Sequence, residues 1–485
     1  MLFNSLHFAL FFPIVFILYY LIKPKKRWIL LLIASYYFYM SWNPIYIVLI
    51  LFSTVVDYGV TIWMERTSEQ WKKKLLLGVS LTANLGLLFA FKYYNFFNSI
   101  VADSLTGLGY DYSYSVLHIL LPVGISFYTF QTLSYTIDVY RGNQQAQHHF
   151  GKFALYVSFF PQLVAGPIER STHLMPQFDK EFQYDYARIT DGLKLMFWGL
   201  FKKVVIADRL AIMVNQIYNN PTDYDGFALL FGSILFAFQI FCDFSGYSDV
   251  AIGCARVFGF DLMQNFRIPY YSKSIAEFWK RWHISLSTWF RDYLYIPLGG
   301  NKVRKGRWFL NLFITFFISG IWHGANWTFV TWGAIHGFYL ISAIVFAGLK
   351  KRINSLLFLD RNPFMFKLVQ VITTFILVDF AWIFFRANSM DDAIYIIQKI
   401  AHISWEPHAW ISSLYTIGTD KNGLIIALLS IIIMEAVHLF DREESFILKL
   451  NRLSTTKRWT LYYLFIFYFL FFGTFSQQDF IYFQF

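Results

Sequence analysis

Charge is scarce in this chain. Only 15% of its 485 residues are Asp, Glu, Lys or Arg, against 57% hydrophobic and 22% aromatic. A soluble domain carries about 25% charged residues, so this chain has too little charge to clothe a water-facing surface. Cysteine is scarce too. Cys242 and Cys254 stand alone, which excludes a disulfide framework and a four-ligand zinc site. The common signatures of soluble enzymes are missing: no GxSxG elbow, P-loop, HExxH or CxxC.

What is present is long uncharged sequence. Met1–Ile22, Trp28–Val56, Tyr112–Ile137, Trp308–Leu349 and Trp459–Gln478 contain no charged residue. A helix needs about 20 apolar residues to cross the hydrocarbon layer. With the shorter apolar runs, the chain is expected to be an all-α polytopic membrane protein. Roughly ten to twelve passages, re-entrant pieces included, follow from this count. No repeat, low-complexity segment or Pro/Ser-rich linker divides it, so residues 1–485 read as a single integral-membrane domain.

Basic residues set the expected orientation. The net charge of +11 could suggest nucleic acid, but the cations cluster in short loops between apolar spans, where they fix topology. Lys23–Arg27 and Arg66–Lys74 are expected inside, which puts the N-terminus outside and makes Met1–Tyr20 a retained span. Leu262–Arg307 holds nine Lys/Arg against two acids and is expected to face the cytoplasm. The 42 uncharged residues that follow would make about 63 Å of helix, enough for a hairpin of two crossings.

Two segments carry candidate chemistry. In Ile275–Asp292, Phe278, Trp282 and Trp289 recur at helical spacing, with Lys280, His283, Ser287 and Arg291 on another face. This predicts one amphipathic helix at the membrane surface. A structural interfacial helix explains the tryptophans and cations, but does not call for a histidine at the boundary. His323 lies within the uncharged run, in Gly320–Asn326, GIWHGAN. An ionisable residue at that depth is costly and by default functional. Gly320 and Gly324 either leave room for a substrate or serve close helix packing. His336, thirteen residues on, is expected outside the His323 pocket if the helix is continuous. Phe241–Asp249, FCDFSGYSD, sets Asp243 and Asp249 at the end of an apolar span. They could cap helices, pair with cations such as Arg256, orient a histidine, bind a polar head group or serve metal or proton coupling, and their spacing diagnoses no metal site. A neutral imidazole can take the proton of a hydroxyl as it attacks a thioester.

These residues resemble the membrane-bound O-acyltransferases, in particular the branch of the alginate O-acetyltransferase membrane subunits. The likeness runs almost end to end, through FCDFSGYSD, Ile275–Gly300, GIWHGAN and Trp332–Gly337 (WGAIHG), within a motif core of 241–337. It also includes Leu121–Phe127, Ile137–Gly142, Ala165–Pro167 and the chain end Asp479–Phe485, DFIYFQF. The resemblance implies a funnel or tunnel with His323 as the essential base and His283 as a second catalytic position. It further implies that Asp243, Trp282, Arg291, Asp292, Trp322 and Asn326 line the substrate path. No tightly bound cofactor or metal is implied; acetyl-CoA or another acyl thioester would be the donor substrate. The implied setting is the bacterial cytoplasmic (inner) membrane. There a donor-side His283 below a deeper His323 would pass the acyl group to an outer-side SGNH or serine-hydrolase-like acetyltransferase, and so to a polysaccharide. Rival readings are a D-alanyl transferase of teichoic acids, a transporter or flippase, and a long-chain lipid or protein acyltransferase.

Overall fold

Nearly every uncharged stretch is helical, because a backbone in apolar surroundings must satisfy its hydrogen bonds internally. The computed structural model describes residues 1–164, 166–403, 410, 413, 417, 421–441, 446–475 and 480–483, with the side chains of 360, 421 and 483 excepted. Ala165 of the AGP run, Ser476, Gln477 and Gln478 of the last uncharged run, and Asp479, Gln484 and Phe485 of the chain-end motif lie outside these. No strand occurs among the described residues. Six of their helices are long and apolar enough to cross a membrane, and Leu6–Leu21 is a shorter apolar helix. The protein is an all-α, multi-pass membrane protein.

The chain divides into two compact units, one of Met1–Met196 with Ser248–Met263 and one of Phe197–Tyr247 with Gln264–Phe485. In the first, the spanning helix Ile47–Arg66 buries Asp57 completely. Asn84 donates to both carboxylate oxygens (3.1 and 3.0 Å), and Ser80 donates to one of them. A carboxyl group inside an apolar bundle persists only with such partners. The uncharged run Tyr112–Ile137 does not form one span: helix begins only at Ile125, after Gly124 turns with φ 78°. A side chain there would be strained and would meet the Leu163 carbonyl at 2.6 Å.

The second unit holds the motif core. The 33-residue helix Gly226–Phe258 contributes its first two-thirds, through Tyr247. Trp308–Leu349 does form a hairpin, of helices Lys305–His323 and Trp327–Val345. The turn lies at Gly324–Asn326, where Asn326 accepts the Thr328 N–H (3.1 Å) to cap the returning helix. The two helices touch backbone to backbone. A Cβ on Gly320 would meet the Phe329 carbonyl at 2.4 Å, and one on Gly333 the Phe316 carbonyl at 2.4 Å. A Cβ on Gly324 would enter the Phe329 ring at 2.2 Å. The space that these glycines leave is therefore filled by the hairpin itself, not by substrate.

Candidate active site

The site begins where the sequence predicts a continuous helix and the chain does not make one. Ile275–Arg281 and Ile284–Phe290 are separate helices, parted at His283, whose backbone is left-handed with φ 42° and ψ 56°. A non-glycine residue in that region carries local strain that its surroundings must hold. Here the segment Gln264–Arg267 holds it. The Arg267 N–H donates to the Arg281 carbonyl (2.9 Å), and the Ile284 N–H donates to the Asn265 carbonyl (2.9 Å). The break thus exchanges helical hydrogen bonds for equivalent ones. The expectation of one amphipathic surface helix is corrected accordingly: Phe278, Trp282 and His283 are all buried.

Asn265 also sets the chemistry of the imidazole. Its side-chain oxygen accepts the Ser285 N–H (3.3 Å) and the Ser285 hydroxyl (3.0 Å), and lies 3.1 Å from Nδ1 of His283. An oxygen that accepts a backbone N–H is an acceptor, so Nδ1 is the nitrogen that carries the proton. Nε2 is then left with its lone pair, the form in which a histidine acts as a base.

His323, the last residue of its helix, is 3% exposed. Its ring sits in an aromatic box, with Trp322 and Trp332 each at 4.8 Å, Phe385 at 5.3 Å and Tyr482 at 5.8 Å between ring centres. Two of those four also face His283: Trp322 at 6.4 Å and Tyr482 at 6.4 Å. The two histidines, 40 positions apart in sequence, therefore share a tryptophan on one helix and a tyrosine near the chain end.

Both histidines, Trp322 and Trp332 fall within a stretch of established kinship, while Phe385 and Tyr482 lie beyond it. The family model of the membrane-bound O-acyltransferases matches residues 144–378. The chain is 41% identical to a probable alginate O-acetylase of Pseudomonas putida, over 80% of this chain and 78% of the relative. A peptidoglycan O-acetyltransferase of Helicobacter pylori is 33% identical over 100% of this chain and 98% of its own. The chain belongs to the membrane-bound O-acyltransferase family.

A membrane-bound O-acyltransferase is an enzyme, which sets aside the transporter reading. The D-alanyl transferase likeness is more distant: such a protein of Bacillus subtilis is 30% identical over 44% of this chain. The other expected site residues of this acyltransferase are distributed unevenly. Trp282 is buried among Trp382 (5.1 Å), Phe266 (5.1 Å) and Phe278 (5.4 Å). Asn326 caps the hairpin and donates to the Asn388 carbonyl at 3.2 Å. Arg291 is largely exposed and pairs through Nε with Asp292 (2.7 Å) at the start of a π-helical turn. Asp243 points inward, to Lys203 (2.8 Å) and to the Ile481 N–H (2.7 Å).

His336 stays outside the His323 pocket, as expected, although a turn rather than a continuous helix separates them. The hairpin turn brings it back, so that Trp332 lies 4.8 Å from His323 on one side and 5.0 Å from His336 on the other. Its Nδ1 accepts the Trp279 indole N–H at 3.2 Å. Sequence reading missed Asn265, Tyr482 and Lys203. Lys203 carried a local signal, as one of two adjacent lysines inside the apolar run Leu195–Ala207, and Tyr482 lies in the DFIYFQF run that shares the family likeness.

Proposed function

We propose that this acyltransferase moves an acetyl group from a cytoplasmic thioester to a hydroxyl, with His323 as general base and His283 assisting on the donor side. The hydroxyl oxygen attacks the thioester carbonyl carbon, His323 takes the hydroxyl proton, and the carbon–sulfur bond breaks to release the thiol, which regains a proton. The observation that carries this reading is the pair of buried imidazoles sharing Trp322 and Tyr482. One of the two is held by Asn265 in a proton-accepting form.

The nine cations of Leu262–Arg307 suit an anionic donor such as acetyl-CoA, and by the distribution of basic residues this face is cytoplasmic. The acyl group then leaves on the opposite side of the bacterial inner membrane. The acceptor there is an envelope polysaccharide, reached through an SGNH or serine-hydrolase-like transferase. Relatives named for alginate and for peptidoglycan support a glycan as the final acceptor. The test uses sealed vesicles loaded with labelled acetyl-CoA. His323→Ala should lower label transfer by about 10²–10⁴-fold, the range of a positioned general base; transfer at the wild-type rate would reject the assignment.

A further inference from the structure

Asp243, Phe244 and Tyr247 of the FCDFSGYSD run pack against residues 480–482. Asp243 accepts the Ile481 N–H at 2.7 Å. Phe244 packs on Phe480 (5.8 Å) and Tyr482 (4.6 Å), and Tyr247 packs on Phe480 (4.4 Å). Phe480 and Ile481 are buried. Phe244 also meets the His283 ring edge-on at 4.6 Å.

This packing rests on a buried ion cluster. Lys203, 3% exposed, lies 2.8 Å from Asp243 and 2.8 Å from Asp208. It belongs to the π-helical stretch Phe201–Ala207, a local rewinding that is common at functional sites. From this stretch the Val204 carbonyl accepts the Thr474 N–H (3.0 Å), and Arg209 just beyond it donates to the Phe472 carbonyl (2.6 Å) at the end of helix Thr455–Phe472. One Asp243 oxygen pairs with Lys203 and the other accepts the Ile481 N–H, so the lysine fixes the orientation in which the acceptor meets the chain end.

We propose that Asp243 is a positioning residue, which Lys203 holds and which pins Ile481 so that Tyr482 stands between His283 and His323. This rests on the acyl-transfer reading given above. Asp243 acts through the chain end and touches no reacting atom. Apolar packing of Phe480 alone is the competing account, and it makes the Asp243–Ile481 bond dispensable.

The experiment uses the full chain in proteoliposomes. Ile481→Pro removes the N–H and leaves the ion cluster intact; Ile481 opens a 3-10 turn, where the fixed φ of proline fits. Asp243→Ala removes the acceptor. Each should lower kcat by about 10²-fold, the cost of a 1 Å misplacement of a reacting constellation, with KM for the thioester unchanged. The double variant should be no slower than the worse single one. In parallel, Tyr482→Cys serves as a maleimide probe against the buried Cys242 and Cys254. Labelling of the thiol introduced by Tyr482→Cys should accelerate when either Asp243→Ala or Ile481→Pro is added. Wild-type kcat in Ile481→Pro, unchanged labelling, or additive losses in the double variant would each overturn the proposal. The labelling needs no acyl transfer, so a failure of the enzymatic reading would appear separately, as a wild-type protein that transfers nothing.

Discussion

The side-chain oxygen of Asn265 lies 3.1 Å from Nδ1 of His283. It orients the ring and fixes its tautomer, while the Asn265 backbone carbonyl closes the helix break beside it. Asn265→Leu should lower kcat by about 10²-fold, the cost of misplacing a group in a reacting constellation, whereas Asn265→Asp, which keeps an acceptor, should retain most activity. Steady-state kinetics per folded enzyme would decide. Equal losses in both variants would mean that the tautomer is not what matters.

His336 should behave differently from His323. Its hydrogen bond to Trp279 is internal and buried, so His336→Leu strands an indole N–H. The expected cost is about 1–3 kcal/mol of stability, seen as a lower thermal midpoint in detergent. The kcat of the folded fraction should stay within a small factor of wild type; a collapse of kcat would move His336 into the chemistry.

The hairpin's glycines are predicted to be intolerant. A Cβ on Gly333 meets the Phe316 carbonyl at 2.4 Å and the Gly320 Cα at 2.9 Å, and neither is a flexible side-chain end. Gly333→Ala should destabilise by about 1–3 kcal/mol through overpacking. Because Gly320 is three residues from His323, transfer should fall as well, and thermal melts alongside kcat would register both.

Lys203→Met would leave the two buried carboxylates of Asp208 and Asp243 without their shared cation. Breaking a buried pair in this way costs about 3–5 kcal/mol. The expected outcome is loss of the monodisperse peak on fluorescence-detected size exclusion. Lys203→Arg, which keeps the charge, should recover part of it.

Much of this protein could be read without coordinates. The scarcity of charge and the length of the uncharged runs determined an all-helical membrane protein, because the cost of burying charge in a bilayer acts on composition alone. The same physics singled out His323, and the 42-residue run foretold its hairpin. Only the tertiary structure decided the rest. The left-handed turn at His283 leaves no trace in helical periodicity, so the run looked like one surface helix. His336 returned to its neighbour's wall because a turn, not a continuous helix, separates them. The hydrogen bond of Asp243 to Ile481 joins residues 238 positions apart, and Asn265 reaches His283 across 18. Such contacts depend on how helices are placed beside one another in space, which the local pattern of apolar and charged residues does not specify.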